Sequence, residues 1–155
     1  MSLASSADVL TLRIFSFSFH RQMPSDESGN GGGFIFDARS LPNPGREERF
    51  KPLTGKDAPV IDYLNQQESV HQFLSNVLSL VDASVKSYQG RGFKNLMVSF
   101  GCTGGQHRSV FLAEQLAKRL RAVSGVEVTV RHIELENMAK DPGSPRTGLP
   151  PSGGE

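Results

Sequence analysis

The sequence has one cysteine, no tryptophan and only two tyrosines among its 155 residues. A single cysteine excludes an internal disulfide framework. The net charge of +1 argues against extensive nonspecific nucleic-acid binding, which usually needs a strongly basic face. No run of about eighteen apolar residues occurs, and no basic segment precedes the first apolar stretch. We therefore expect a cytoplasmic protein without membrane contact.

Apolar patterning predicts four strands and three helices. The third strand is almost continuously apolar, as in a buried parallel strand, and the second helix repeats apolar residues at i, i+3, i+4 and i+7. The predicted strands are Val9–Phe19, Phe34–Arg39, Lys94–Gly101 and Val126–Ile133; the helices begin near 56–58, 68 and 107.

The order β-β-α-α-β-α-β predicts a small layered α/β domain. Its mostly parallel or mixed sheet of about four strands would be flanked by helices. We expect the domain over residues 9–137, a flexible N-terminus over 1–8 and a disordered tail over 138–155. In such sheets, ligands bind at the carboxyl ends of the strands.

Two segments are rich in glycine, proline and polar residues. The first, Pro24–Gly33, is expected to be a mobile loop. The second, Ser40–Gly55, is irregular, and long irregular segments in compact domains are often functional.

The stretch "GCTGGQHRS" follows the third strand and opens the third helix. Gly104 and Gly105 permit close approach of a ligand to the backbone, and the helix N-terminus favours an anion. Arg108 offers a planar fork for two phosphate oxygens, and Thr103 and Ser109 offer hydroxyl donors. The pattern therefore predicts a site for a doubly charged oxyanion.

The same loop matches the C-x5-R-[ST] spacing of cysteine-dependent phosphatases. In that alternative, Cys102 attacks phosphorus, Arg108 holds the equatorial oxygens, and Asp37 or Asp57 protonates the leaving group. Those enzymes usually carry histidine before the cysteine, where this chain has Gly101.

His107, at the start of the helix, could donate to a phosphate, act as an acid or base, or simply pack the turn. The sequence has no HxH, HExxH or CxxC pairing. We therefore expect no metal site and no cofactor.

Several motifs, taken together, resemble the C-terminal domain of the RapZ (YvcJ-like) family. They are "FDARSLPNP", "LTGKDAPV", "VHQFL" and "GCTGGQHRSV", and the likeness runs from about Phe15 to Leu135. The resemblance implies a small α/β domain that binds glucosamine 6-phosphate or a related metabolite. It also implies contacts with small RNAs and a regulatory protein, and self-association into homo-oligomers.

Full-length members of that family also have an N-terminal P-loop domain. This chain has no G-x-x-x-x-G-K-[ST] motif, so that nucleotide-binding half is expected to be missing from it. It also departs from the family pattern at Gly45, where histidine is frequent, and at His20, where lysine is usual.

The resemblance assigns two groups of residues to the ligand: the loop 102–109 for the phosphate, and residues of "FDAR" and "LPNP" for the sugar. In the second group, Asp37, at the end of a strand, would accept hydrogen bonds from an amine or hydroxyl, and Asn43 would recognise a sugar hydroxyl. The complete expected set is Cys102, Thr103, Gly104, Gly105, His107, Arg108, Ser109, Asp37, Arg39 and Asn43.

Three functions stay open on the sequence alone. The first is a non-enzymatic sensor of a phosphorylated metabolite, and the second is the cysteine phosphatase. The third is an RNA-binding module that uses the basic residues Arg39, Arg46, Arg49 and Lys51.

Overall fold

A computed structural model describes residues 8–30 and 32–141. The expected flexible N-terminus, apart from Asp8, lies outside the described residues, as does the expected tail from residue 142 onward. Within the described part, four strands form one sheet: β1 (Leu10–Ser18), β2 (Gly33–Asp37), β3 (Asn95–Cys102) and β4 (Val126–His132).

All the strand pairings in this sheet are parallel. The order across the sheet is β2-β3-β1-β4, so β1 and β3 are central and β2 and β4 are the edges. Burial follows this order. β3 is buried from Leu96 to Cys102, whereas β4 alternates between half-buried and exposed positions until His132. The expected α/β fold with a sheet of about four strands is therefore confirmed.

Four α-helices accompany the sheet: α1 (Ala58–Asn65), α2 (Glu68–Gly90), α3 (Arg108–Leu120) and α4 (Ile133–Lys140). Two short 3-10 turns, Pro44–Arg46 and Glu48–Phe50, shape the irregular segment before α1.

One face of the sheet and the first three helices form the hydrophobic core. Their buried apolar side chains alternate along the strands and recur at helical spacing along α2 and α3. Buried members include Leu12, Val98, Val81, Leu112 and Leu116. This packing fixes α3 across the sheet, and its first turn lies where β3 ends.

The opposite face of the sheet is covered partly by the loop after β1. Asp26 accepts hydrogen bonds from Ser28 Oγ at 2.6 Å, Gly32 N at 2.9 Å and Arg13 Nη2 at 2.6 Å. These bonds lower the pKa of Asp26, so its carboxylate stays ionised and anchors the loop to β1. In the described part of the segment expected to be a mobile loop, Asp26 therefore links Ser28 and Gly32 to Arg13 of β1.

Helix α4 was not predicted from the sequence. It begins directly after His132, and its buried residue is Glu134 rather than an apolar one. The sequence of α4 therefore has no buried apolar stripe from which the helix could be predicted. It extends past residue 137, so residues 138–140 of the expected tail are its last residues.

Candidate functional site

The carboxyl ends of the strands meet at one edge of the sheet, as parallel pairing requires. Ser18, the last residue of β1, is paired with Cys102, the last residue of β3. Asp37, the last residue of β2, is paired with Gly101. Three segments that lie far apart in the chain thus converge beside the loop 102–109.

The end of β1 holds the first half of that loop. Phe19 N donates to Cys102 O at 3.0 Å, and Ser18 Oγ makes a short hydrogen bond to Thr103 O. The backbone N of His20 donates to the same Ser18 hydroxyl at 3.1 Å. The loop is therefore held in place by a neighbouring strand.

The two glycines of the loop have different surroundings. Gly105 has φ +67°, and a Cβ there would lie 2.7 Å from Glu134 Cγ and 2.9 Å from Ser18 N, so a side chain does not fit. A Cβ on Gly104 would meet no atom within 4 Å apart from those of its chain neighbours. Gly104 therefore borders open space while its neighbour is packed against the protein.

Cys102 lies beneath the loop and is 2% exposed. Its Sγ donates to Ser109 Oγ at 3.1 Å, and Ser109 is also fully buried. This contact joins the end of β3 to the first turn of α3. Both side chains therefore belong to the interior of the loop.

Arg108 is 2% exposed and reaches into the irregular segment that follows β2. Its Nη1 donates to the carbonyl oxygens of Arg39 and Leu41, both at 3.0 Å. The acceptors of this nitrogen are therefore two carbonyl oxygens, whereas the sequence pattern predicted phosphate oxygens as acceptors of the Arg108 guanidinium. Arg108 therefore supports the segment around Leu41 and contributes a buried positive charge beneath the loop.

His107 is also buried, and its Nε2 lies 2.8 Å from Phe50 O. A carbonyl oxygen can only accept, so Nε2 carries the proton and Nδ1 is an acceptor in the neutral ring. Burial is the main cause that lowers the His107 pKa, which favours this neutral form.

The segment before α1 packs tightly on the loop. Gln106 Nε2 donates to Lys51 O at 2.8 Å and Leu53 O at 2.7 Å, and Gly55 N donates to Gln106 O at 2.9 Å. A Cβ on Gly55 would lie 2.3 Å from His107 O, so only glycine permits this approach.

Asp37 and Arg39 form an exposed ion pair at the rim. Arg39 Nη2 lies 2.7 Å from Asp37 Oδ2, and its guanidinium is stacked over the Phe19 ring at 4.2 Å. The hydrogen bonds from Arg39 lower the pKa of Asp37. Asp37 is therefore ionised at neutral pH. About half of its side chain is exposed.

Asn43 accepts a hydrogen bond from Gly45 N at 2.9 Å through its side-chain oxygen, and so caps the turn that begins at Pro44. A Cβ on Gly45 would be 3.0 Å from Asn43 Oδ1 and 3.4 Å from His107 Nδ1. Glycine at position 45 thus leaves room beside the acceptor nitrogen of His107.

The expected site residues therefore separate into two groups. Thr103, Gly104, Asp37, Arg39 and Asn43 are at least partly exposed and form the rim. The other five are buried and form the frame beneath: Cys102, Gly105, His107, Arg108 and Ser109.

Two groups near the loop were missed in the sequence. Glu134 is 1% exposed, packs against Gly105, accepts from Asn137 Nδ2 at 2.9 Å and lies 3.4 Å from Arg21 Nε. The only local signal was an acidic residue after a strand, which is too common to single out.

The second missed group is a row of hydrogen-bonded side chains between β1, β4 and α3, in which Ser16 and His132 are buried and Glu114 is partly exposed. Ser16 Oγ lies 2.7 Å from His132 Nδ1, and His132 Nε2 lies 2.6 Å from Glu114 Oε2. The three residues are separated by up to 116 positions, so no local pattern links them.

The basic segment considered for RNA is largely paired with carboxylates. Arg49 lies 3.1 Å from Glu47 and Lys51 lies 2.7 Å from Glu48, while Arg39 is paired with Asp37. These pairs leave little unbalanced positive charge in the segment.

Nothing in the described residues favours the cysteine phosphatase. The Cys102 thiol is buried against Ser109, and Arg108 Nη1 donates to the carbonyl oxygens of Arg39 and Leu41. A side chain on Gly101 would collide with Phe19, so the histidine usual before the phosphatase cysteine has no space here.

The fold and the loop define an α/β domain with a glycine-rich turn between a parallel strand and a helix. A family model described as the RapZ C-terminal domain matches residues 10–136. The chain therefore belongs to the RapZ C-terminal domain family, and the resemblance seen in the motifs is confirmed.

Curated relatives agree with this assignment. A protein of Xylella fastidiosa (strain Temecula1) is 41% identical over 130 residues, which cover 84% of this chain and 43% of the relative. One of Cupriavidus metallidurans is 45% identical over 126 residues (81% and 40%), and one of Glaesserella parasuis is 38% identical over 136 residues (88% and 46%). Each is called a nucleotide-binding protein. The chain spans less than half the length of these relatives.

Within the described residues, no helix is long and apolar enough to cross a membrane.

Proposed function

We propose that this domain is a non-enzymatic sensor that binds a phosphorylated metabolite at the loop 102–109. The observation that carries the proposal is the open space beside Gly104, at the edge where the strands end. Ligands of open parallel sheets bind at this edge. A backbone without a side chain there allows the closest approach of a phosphate.

The charges around the loop suit a dianion. The first intrahelical hydrogen bond of α3 runs from Phe111 N to His107 O, and the helix N-terminus carries partial positive charge. The buried guanidinium of Arg108 adds a full charge beneath the loop. The hydroxyl of half-buried Thr103 supplies a donor at the rim.

An amino sugar phosphate, such as glucosamine 6-phosphate, is the ligand class that fits the rim best. Asp37 is ionised and half exposed, and a carboxylate can accept from an ammonium group. The Asn43 side chain and the Nδ1 acceptor of His107 lie beside Gly45, where a sugar hydroxyl could be recognised.

Calorimetric titration with glucosamine 6-phosphate, glucose 6-phosphate and inorganic phosphate tests the proposal. We expect binding of both sugar phosphates, with the amino sugar tighter. Gly104→Ala should weaken the binding of all three compounds at the loop because the added methyl group occupies the open space. Asp37→Asn should remove only the preference for the amino sugar. Absence of binding by all three compounds to the unaltered protein would exclude a phosphate site.

The same samples separate sensing from catalysis. Phosphorus NMR of a mixture with glucosamine 6-phosphate should show the ester unchanged over hours. Release of inorganic phosphate that requires Cys102 would contradict the non-enzymatic assignment.

The regulatory part of the proposal concerns the longer protein. A partner, RNA or protein, would respond to occupancy of the loop, and an N-terminal nucleotide-binding domain and self-association would place the domain in a larger assembly. Pull-down by the full-length protein with and without glucosamine 6-phosphate tests whether the partner responds to the ligand.

A further inference from the structure

A cleft of about 560 Å³ lies between the start of α1 and the outer surface of α3. Lys56 lines it from the segment before α1, and Lys118 and Arg121 line it from the end of α3. Lys118 and Arg121 are three positions apart, so they lie on one side of the helix. Three cations therefore converge on one concavity from two elements.

None of these three cations forms an ion pair with a carboxylate of residues 8–30 or 32–141. Elsewhere, exposed cations such as Arg119 and Arg131 are paired with Asp82 and Glu136. The three side chains around the cleft therefore have no carboxylate within ion-pair distance among the described residues.

One carboxylate, Glu114, also lines the cleft. Its Oε2 lies 2.6 Å from His132 Nε2, and two thirds of its side chain is buried. Asp57, next to Lys56, accepts from Thr54 N at 2.7 Å through its own carboxylate. Both carboxylates keep their charge, so the three cations of the cleft exceed Glu114 and the neighbouring Asp57 by one positive charge.

We propose that this cleft is a second anion site, for a compact molecule that carries two or more adjacent phosphate groups. Its volume is in the range of small-molecule pockets, about 300–1,000 Å³. Three cations exceed the need of one monophosphate but match a di- or triphosphate chain. Ile61 gives the cleft an apolar wall against which a ring or the aliphatic stems of the lysines can pack.

This site is distinct from the loop 102–109, since no residue of that loop lines the cleft. The two are nonetheless adjacent through the backbone. Gly55, which lines the cleft, donates its N–H to Gln106 O at 2.9 Å and packs against His107 O. A ligand held by Lys56 therefore contacts a segment that is hydrogen bonded to the loop.

NMR titration of the whole chain with inorganic tripolyphosphate, at near-physiological salt, is the direct test. We expect saturable shifts at Gly55, Lys56 and the last turn of α3. Lys118→Gln/Arg121→Gln should weaken binding about tenfold or more, because two charge-assisted contacts are lost. The control Lys86→Gln/Lys94→Gln removes the same charge from exposed positions and should retain the affinity of the unaltered protein.

The Gly104→Ala variant distinguishes this site from the proposed sugar-phosphate site. It should leave tripolyphosphate binding at the cleft unchanged even where glucosamine 6-phosphate binding is lost. Shifts confined to residues 103–105, or equal losses in the test and control variants, would overturn the second site. So would binding of a single-stranded RNA oligonucleotide through Lys118 and Arg121 without any binding of tripolyphosphate.

Discussion

A side-chain carbon on Gly101 would lie 2.3 Å from Cε2 of Phe19. No such contact can be accommodated without moving the ring or the strand. Gly101→Ala should therefore lower the free energy of unfolding by about 1–3 kcal/mol, as expected for overpacking of a filled interior. Urea denaturation followed by circular dichroism measures this change.

Gly104→Ala is the matched control three residues away. Its added methyl group meets no atom within 4 Å apart from those of its chain neighbours, and the φ of Gly104 is not in the left-handed region. Its free energy of unfolding should stay within about 0.5 kcal/mol of the unaltered protein. A large loss at Gly104 with none at Gly101 would contradict the packing described for this loop.

The Ser16–His132 contact gives a second prediction. Glu114 accepts from Nε2 of His132, so in the neutral ring Nδ1 accepts from the buried Ser16 hydroxyl. Ser16→Ala leaves that nitrogen without its donor and should cost about 1–3 kcal/mol in chemical unfolding.

The double variant Ser16→Ala/His132→Phe checks the cause. Removing both polar partners can be far less costly than removing one. A smaller loss than the sum of the two single variants is expected, and strict additivity would show that the two side chains are not coupled.

The Arg108 contacts predict a local rather than a global effect. Arg108→Met keeps an aliphatic chain but removes the Nη1 donor of Arg39 O and Leu41 O. Amide hydrogen exchange should accelerate in the irregular segment 39–53, whereas α2 should exchange as before. Unchanged exchange in 39–53 would mean that Arg108 does not hold this segment.

His107 gives a prediction in pH. Burial lowers its pKa, so its NMR titration midpoint should fall below the ordinary value of 6.5. Because the unfolded chain binds a proton at His107 more readily than the folded protein, the free energy of unfolding falls as the pH is lowered. The contribution of His107 is complete above pH 6.5 and is lost as the pH falls through the lower pKa of the folded state. His107→Gln keeps a donor for Phe50 O and should lose less stability than the unaltered protein between about pH 7 and pH 5. A midpoint at or above 6.5 would contradict this account.

Most of the fold could be predicted because strands and helices bury apolar residues at their own periods. The continuous apolar run of β3 indicated a central parallel strand, and the stripe beginning at Val70 indicated α2. The glycine-rich turn between β3 and α3 was also evident from its glycines, but the burial of Cys102, His107, Arg108 and Ser109 beneath it was not.

The partners of the buried polar groups could not be predicted. Arg108 binds carbonyls 67 and 69 positions away, and His132 is bonded to a serine 116 positions away. Such pairs depend on strand order and register, which local periodicity does not determine. Helix α4 could not be predicted either, because its buried residue is the carboxylate Glu134 rather than an apolar side chain.

The strand order also has a consequence for folding while the chain is being synthesised. β2 pairs only with β3, and β1 pairs only with β3 and β4, so no two strands that emerge early can join each other. Strands β1 and β2 therefore have no strand partner until β3, which begins at residue 95, has been synthesised. Chains stalled before that point should be the ones that chaperones capture.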